Sequence, residues 1–308
     1  MPFKLMPFFR STPKNKGKHI DAFPTLENVP VGFPAGHFYS PDINPNELAN
    51  REHEIWPSTP PMILGIDFNE RSHQQILSED FPKFIEDYDY PEKEEDVSQE
   101  YDFFTQNSQF SWLDARAAFV LMRKWNPARV IEVGSGFSSL LMADINHRFL
   151  GGKCQLTCIE PYPRPFLKQG VPGISRLIEE KVQNVPLEIF ETLESRDILF
   201  IDSSHVSKTG SDVNYLYFDI LPRLKSGVKI HIHDIFLPNE YLKDWVLKDH
   251  RSWNEQYLLR ALLMYSSAFR VIFGCSYAFA LMPNKVKTAL SLPKMHAFGG
   301  GSFWIEKV

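Results

Sequence analysis

Residues 130–140 constrain the fold of this chain more than any other stretch. They read V-I-E-V-G-S-G-F-S-S-L, a run rich in β-branched residues, then two glycines one residue apart, then serines that open an apolar helical pattern. This order predicts a strand, a tight turn and a helix. Gly134 permits the turn, Gly136 lets the backbone approach a ligand closely, and the N–H groups at the helix start point at that ligand. The stretch therefore predicts a loop that binds a nucleotide-type cofactor.

Two acids close to this loop sharpen the prediction. Glu132 lies two residues before Gly134 in an otherwise apolar strand, where burying a carboxylate is costly without a partner, and a cationic ligand would supply one. Glu160 ends the next apolar run, residues 156–159, where a carboxylate can accept both hydroxyls of a ribose. An ordinary turn or an exposed loop carboxylate explains either feature alone. Their joint occurrence at strand ends favours a ligand site.

With these residues the chain resembles the class I S-adenosylmethionine-dependent methyltransferases, whose first motif is E/D-x-G-x-G and whose second strand ends in an acid. The resemblance covers about residues 105–308. It implies an α/β fold, a doubly wound, Rossmann-like seven-stranded sheet with helices on both faces, and S-adenosylmethionine as cofactor. The cofactor-binding residues that it implies are Glu132, Gly134, Ser135, Gly136, Ser139, Glu160, Pro161 and Asp202.

The pattern of the chain after about residue 128 is an alternation of strands and helices, which predicts the same doubly wound sheet. Ligands of such sheets bind beyond the carboxyl ends of the strands. Four acids end predicted strands: Glu132, Glu160, Asp202 and Asp234. Their shared position predicts that they belong to one site.

Other elements follow from local patterns. Ser111 and Asp114 form an S-x-x-D capping box for a helix that leads into the first strand. Val182–Asn184 is a candidate third strand. Phe269–Gly274 and residues 302–308 are predicted closing strands, and the last one is antiparallel in the family.

Methyl transfer to oxygen or nitrogen requires the sulfonium methyl in line with a nucleophile and removal of the nucleophile's proton. His205 follows the fourth predicted strand by three residues, and His233 and Asp234 end the fifth. A histidine with a pKa near neutrality suits a general base, so these three residues are the predicted catalytic group. The alternative is that each histidine, including the mid-strand His231, is only a hydrogen-bonded structural residue.

Residues 200–205 and the His233-Asp234 pair are similar to the subgroup of macrolide-sugar and catechol-type O-methyltransferases. The similarity implies O-methylation of a small-molecule or sugar acceptor. In the metal-dependent relatives, acids after the fourth and fifth strands hold Mg²⁺, and Asp202 and Asp234 match those positions. Ser203 and His233 stand where relatives carry a second acid or amide, so Mg²⁺ is possible but not favoured, and the metal ligands remain unassigned.

Composition limits the partners. A net charge of -5 and a pI of about 6.1 give no general electrostatic reason to bind nucleic acid or an anionic membrane. More than half of the 23 prolines lie in the first 100 residues, which predicts an irregular N-terminal extension over residues 1–104 and a methyltransferase domain over residues 105–308. The three cysteines form neither a metal-finger pattern nor an even disulfide set, and no apolar run has membrane-spanning length, so a cytoplasmic protein is expected. A homo-oligomer is possible.

Two other functions compete. A nicotinamide-dependent oxidoreductase fits poorly, because Ser139 replaces the third glycine of G-x-G-x-x-G and the charge of Glu132 would repel a pyrophosphate. A non-catalytic cofactor-binding or scaffold protein of the same fold is the second alternative, and His205 and Asp234 argue mildly against it. A serine hydrolase is excluded because neither Ser135 nor Ser138 lies in a G-x-S-x-G elbow.

Overall fold

The computed structural model describes residues 32–290 and 300–308, which fall into two compact units. The first unit ends at Asn44, and its described residues, 32–44, form turns and bends. In that segment the N–H of His37 donates to the carbonyl oxygen of Pro34 at 3.0 Å. The second unit begins at Pro45 and contains the sheet.

The second unit is built on a seven-stranded sheet with the order β3-β2-β1-β4-β5-β7-β6. The strands are β1 Arg129–Val133, β2 Gln155–Ile159, β3 Arg176–Ile178, β4 Ile198–Ile201, β5 Lys229–Ile232, β6 Phe269–Gly274 and β7 Phe303–Lys307. Strands β1 to β5 are parallel, whereas β7 is antiparallel to both β5 and β6. This topology confirms the predicted doubly wound sheet and its antiparallel closing strand.

Helices cover both faces of the sheet. They are α1 Pro45–Ala49, α2 Glu52–Ile55, α3 Glu70–Gln75, α4 Phe81–Phe84, α5 Trp112–Trp125, α6 Phe137–Phe149, α7 Pro165–Lys168, α8 Leu187–Glu191, α9 Asp212–Tyr215, α10 Lys243–Leu247, α11 Glu255–Leu263, α12 Cys275–Leu281 and α13 Pro283–Ala289. A π-helical turn, Ile76–Asp80, joins α3 to α4, and another, Leu216–Ile220, extends α9. No helix among the described residues is long and apolar enough to cross a membrane.

The core has two layers because successive residues of a strand point to opposite faces of the sheet. Val130 and Phe200 belong to the layer that contains α5 and α6. Ile131 and Leu199 belong to the other layer, which contains the extended helix α9. The burial of the parallel strands on both faces leaves their carboxyl edge as the place where polar side chains meet.

The third strand differs from the prediction. β3 is Arg176–Ile178, which pairs with β2, whereas Val182–Asn184 forms a 3₁₀ turn. The last residue of β3 is Ile178, whose carbonyl oxygen accepts the N–H of Glu160. Val182 comes after the end of this strand and lies outside the sheet. Three residues are too few for periodicity to separate a strand from a turn.

The predicted capping box is also wrong. Helix α5 begins at Trp112, and the Ser111 side chain makes no capping hydrogen bond. The Asp114 carboxylate instead accepts hydrogen bonds from the N–H groups of Gly301 and Ser302, at 3.0 and 2.6 Å. Asp114 therefore binds the segment that precedes β7 and does not cap α5.

Part of the predicted extension packs in the same unit as the sheet. The Asn69 side chain donates to the carbonyl oxygen of Val271 at 2.9 Å. The buried His73 accepts the N–H of Gly274 at 2.8 Å, and burial lowers its pKa to about 4. Residues 45–104 thus belong to the compact unit that begins at Pro45.

Candidate active site

Gly134 brings the ends of β1 and β4 together. Its φ is +83°, and a Cβ atom built on it would lie 1.7 Å from the carbonyl oxygen of Asp202. The N–H of Asp202 in turn donates to the carbonyl oxygen of Val133 at 2.8 Å. Only glycine meets both demands, a left-handed backbone and direct contact with the neighbouring chain.

Gly136 has a different role from Gly134. Among the described residues, a Cβ atom on Gly136 would meet only the Gln109 Oε1 atom, at 3.7 Å, so this side of Gly136 faces free space. Its N–H donates to the Ser139 hydroxyl at 2.9 Å, which fixes the loop at the start of α6. The loop therefore leaves space beside Gly136, and close approach of a ligand there stays a prediction.

Glu132 lies fully buried under this loop. Burial raises its pKa to about 7, against the effect of hydrogen bonds from serine hydroxyls. Ser138 donates to it at 2.6 Å, and Ser139 donates to its second oxygen. A cationic ligand is thus not needed to offset the burial of Glu132, since the chain itself supplies its partners. Glu132 and Ser139 shape the loop from beneath.

Glu160 is placed beside the same loop. Its carboxylate accepts the N–H of Ser135 at 3.1 Å and the N–H of Tyr162 at 2.9 Å. The side chain is partly exposed, as is the following Pro161. The structure therefore brings Glu160, Pro161 and Ser135 to the edge where Gly136 faces free space.

Four further polar residues meet at the ends of β4 and β5. The His205 Nε2 atom lies 3.3 Å from Asp202 and 3.4 Å from Asp234. The His233 Nδ1 atom lies 3.4 Å from Asp202 and 3.6 Å from Asp234. We call Asp202, His205, His233 and Asp234 the acid–histidine cluster. The structure thus brings together all three predicted catalytic residues and Asp202.

His205 is held from behind by Glu255, which the sequence analysis missed. The His205 Nδ1 atom lies 2.9 Å from the carboxylate of Glu255, a fully buried residue at the first position of α11. The carbonyl oxygen of His205 accepts the N–H groups of Asn254 and Glu255, and the ring of Trp253 lies 4.5 Å from the imidazole. These contacts fix both the position and the orientation of the imidazole.

His233 is held by Asp114. The His233 Nε2 atom lies 3.5 Å from the Asp114 carboxylate. A Cβ atom on Gly300 would lie 2.4 Å from that carboxylate, and one on Gly301 would lie 2.9 Å from the Cα of Asp234. A larger residue at Gly300 or Gly301 would push this segment away from Asp114 or Asp234. The run of glycines in the sequence is therefore the signal that could have indicated the close contact.

The electrostatics of the cluster differ from the expectation of a near-neutral histidine. Burial alone would lower the pKa of His205, but Asp202, Glu255 and Asp234 raise it to about 10. Burial likewise opposes the proton on His233, yet the charges of Asp234 and Asp202 hold its pKa well above the ordinary value. Burial would raise the pKa of Asp202, and the two histidines lower it instead. The protons belong to the cluster as a unit.

His231 lies in the core as a hydrogen-bonded structural residue, which is the alternative that the sequence left open for it. Its ring is fully buried and stacks on Phe200 with a centroid distance of 3.7 Å. Its Nε2 atom lies 2.8 Å from the hydroxyl of Ser302. Burial lowers its pKa well below the ordinary value, so the ring is neutral.

The comparisons with known proteins bear on the family of the chain. Residues 131–235, which run from β1 past the end of β5, match the family model described as a methyltransferase domain. A protein of Archaeoglobus fulgidus, described as an uncharacterized protein, is 38% identical over 183 residues, which are 58% of this chain and 82% of that protein.

Among solved structures, the chain is similar to the O-methyltransferase TomG of Streptomyces achromogenes in complex with S-adenosylmethionine, with 14% identity and a TM-score of 0.40 over 80% of this chain and 99% of that one. It is also similar to an O-methyltransferase of Bacillus cereus in complex with S-adenosylhomocysteine, with 13% identity and a TM-score of 0.39 over 85% of this chain and 97% of that one.

The sheet and the glycine loop at its carboxyl edge define an α/β methyltransferase domain. The chain belongs to the class I S-adenosylmethionine-dependent methyltransferases, and S-adenosylmethionine is the cofactor of this family. The nicotinamide-dependent alternative is thereby excluded.

Proposed function

We propose that this methyltransferase transfers the methyl group of S-adenosylmethionine to a hydroxyl group of a small molecule or a sugar. The observation that carries the proposal is the double role of Asp202. Its backbone packs directly on Gly134 of the cofactor loop, and its carboxylate contacts both histidines of the acid–histidine cluster. Methyl donor and proton-accepting groups therefore share one edge of the sheet.

The cofactor would lie along the loop after β1. Each carboxylate oxygen of Glu160 accepts one backbone N–H and retains capacity for a second hydrogen bond, which suits the two ribose hydroxyls. Ser135 and Pro161 flank that position, and Gly136 leaves space for the ligand. The Asp202 side chain is 24% exposed, more than the other members of the cluster, so it is the member most open to the cofactor.

The chemistry of the step requires little from the protein beyond placement and a proton acceptor. The hydroxyl oxygen forms a bond to the methyl carbon while the sulfur–carbon bond breaks, which leaves neutral S-adenosylhomocysteine. The hydroxyl proton goes to the acid–histidine cluster. The neighbouring acids raise the pKa of His205 to about 10, so this residue holds a proton before the reaction and takes the hydroxyl proton only as it passes its own Nε2 proton to Asp234, 3.4 Å away, while Glu255 holds its Nδ1 atom.

The donors in this cluster also fit a metal ion. Asp202, His233 and Asp234 each offer one ligand atom, and these atoms all lie within 4.8 Å of one another. A bound divalent cation would polarise the acceptor hydroxyl and ease the loss of its proton. The set contains a ring nitrogen, which departs from the oxygen-only sites that Mg²⁺ prefers.

The test of the proposed function begins with calorimetry of the full chain with S-adenosylhomocysteine and with NAD. We expect binding of the former only. The protein is then incubated with S-adenosylmethionine and a panel of catechols, phenols, hydroxy acids and sugars, and S-adenosylhomocysteine formation is followed. Acceptor-dependent product that disappears in Gly136→Val supports the proposal. Tight NAD binding without a response to S-adenosylhomocysteine, or product that carries the methyl group only on nitrogen, contradicts it.

A further inference from the structure

We propose that Asp202, His233 and Asp234 bind a late first-row divalent ion of the Co²⁺ and Zn²⁺ type in preference to Mg²⁺, and that Asp114 fixes His233 for this task. The inference deepens the proposed function and rests on it, since the ion would lie where the acceptor hydroxyl is deprotonated. Its test is a binding measurement that needs no acceptor.

The spacing of the donors is that of ligands around one ion. The Nδ1 atom of His233 lies 3.4 Å from the nearest oxygen of Asp202 and 3.6 Å from that of Asp234. Two ligands that are each about 2.1 Å from an ion are about 3.0 Å apart in an octahedral site and about 3.4 Å apart in a tetrahedral one. The two His233 separations are already near these values, and all three donor atoms lie within 4.8 Å of one another, so rotation of the two acid side chains would bring them to one ion. Three protein ligands leave a coordination position for an acceptor oxygen.

The ring nitrogen of His233 decides the kind of ion. Imidazole suits Zn²⁺, Co²⁺, Fe²⁺ and Ni²⁺, whereas Mg²⁺ prefers oxygen ligands and retains much of its water. The side chain of His233 is 6% exposed, so it is enclosed within the site. An ion that binds Asp202 and Asp234 therefore meets a nitrogen donor.

Asp114 lies at the position where metal-binding histidines usually have a carboxylate partner, at an ion-pair distance of 3.5 Å that must shorten to become a hydrogen bond. A carboxylate on the second ring nitrogen fixes the tautomer, so that the first nitrogen presents its lone pair to the ion. The Asp114 carboxylate lies 3.5 Å from His233 Nε2 and is itself held by the N–H groups of Gly301 and Ser302. Asp114 is thus a positioning residue, fixed in place by the segment before β7.

Asp234 is oriented by the backbone. Its φ of +56° lies in the left-handed region, which is uncommon for residues other than glycine. Gly301 lies against its Cα, and the N–H of Ile235 donates to the carbonyl oxygen of Gly301 at 2.8 Å. On the far side, His205 contacts the second oxygen of Asp234 and is held by Glu255. Asp234 is therefore held on two sides, by the Gly301 segment and by His205, before an ion binds.

The experiment uses the full chain after treatment with a chelator. Co²⁺ is added, its visible absorption reports nitrogen and oxygen ligation, and calorimetry compares Zn²⁺ with Mg²⁺. We expect one equivalent of Co²⁺ that Zn²⁺ displaces, and Mg²⁺ binding at least about 100-fold weaker. His233→Ala should abolish the Co²⁺ spectrum, His233→Asp should shift the preference towards Mg²⁺, and Asp114→Asn should weaken Co²⁺ binding by about 10- to 100-fold.

The control variant is His53→Ala, because His53 is 81% exposed at its side chain and lies on α2. It should keep the wild-type Co²⁺ spectrum. S-adenosylhomocysteine affinity, measured on every variant, reports folding of the cofactor site. Equal affinity for Mg²⁺ and Zn²⁺, or a Co²⁺ spectrum that survives in a folded His233→Ala protein, overturns the metal inference alone. A wild-type protein that binds Co²⁺ as expected but not S-adenosylhomocysteine contradicts the proposed function instead.

Discussion

The two glycines of the cofactor loop offer a matched test, because the structure gives them opposite roles. At Gly136 the φ of -169° is not in the left-handed region, and among the described residues an added Cβ meets a single side-chain atom, at 3.7 Å. Gly136→Ala and Gly136→Val should therefore fold normally and intrude into the space that the cofactor needs. Overpacking of a closed site costs about 1–3 kcal/mol, which corresponds to about a 10- to 100-fold loss of affinity.

At Gly134 the same methyl group would overlap the carbonyl oxygen of Asp202 at 1.7 Å, and the φ of +83° adds strain of roughly 1–2 kcal/mol. Because the backbone strain and the steric overlap add, Gly134→Ala should lower the free energy of unfolding by about 3 kcal/mol or more. Calorimetry with S-adenosylhomocysteine and urea denaturation separate the two effects. If Gly136→Val keeps the wild-type affinity for S-adenosylhomocysteine, the side of Gly136 does not face the cofactor. If Gly134→Ala unfolds at the wild-type urea concentration, Gly134 is not closely packed against Asp202.

Three further predictions concern His73, His205 and the acid that holds His205. His73 stays neutral in the folded protein down to its pKa of about 4, whereas the unfolded chain binds a proton below pH 6.5, so stability is full above pH 6.5 and falls as the pH decreases. Between pH 8 and pH 5 the wild type should lose about 2 kcal/mol more unfolding free energy than His73→Gln, and parallel urea curves for the two proteins would contradict this. His205→Ala should lower turnover of an identified acceptor by about 10²–10⁴-fold while S-adenosylhomocysteine affinity is nearly unchanged, and wild-type turnover would show that the histidine is structural. Glu255→Gln should lower turnover less than His205→Ala does, without a change in the KM for S-adenosylmethionine, whereas a purely structural Glu255 would change stability and leave turnover of the folded fraction intact.

The cofactor side of the site was predictable because its signals are local. A strand, a glycine turn and a helix start occupy consecutive residues, and parallel strands bring their ends to one edge whatever the details of packing. The expectation that the buried Glu132 has a partner is met within the chain, and whether a cationic ligand also contacts it stays a prediction. Ser138 and Ser139 supply the hydrogen bonds, six and seven residues further along the chain. Their position at the start of α6, directly above the strand end, is the signal that could have indicated them.

The support behind the histidines could not be predicted in the same way. Asp114 and Ser302 are 188 residues apart, and His205 and Glu255 are 50 apart, so no periodicity or spacing connects them. Asp114 also satisfied a local pattern, S-x-x-D before an apolar helix, which is equally typical of a helix cap. Only the antiparallel insertion of β7 beside β5 brings Gly301 and Ser302 to that acid. Contacts of this kind depend on the tertiary fold and leave no local pattern.

The backbone at His205 and Asp234 indicates what these two positions supply. Both residues have positive φ, +60° and +56°, and both follow the ends of central strands. Glycine would adopt the same turns without the roughly 1–2 kcal/mol that a left-handed conformation costs other residues. The strain is tolerated because surrounding contacts overdetermine it: α11 binds the carbonyl oxygen and ring of His205, and the Gly301 segment lies against Asp234. Glycine would serve the turns better, so His205 and Asp234 occupy these positions because of their side chains. Two such side chains at the ends of β4 and β5 are expected where a proton or a cation must be held at a defined point.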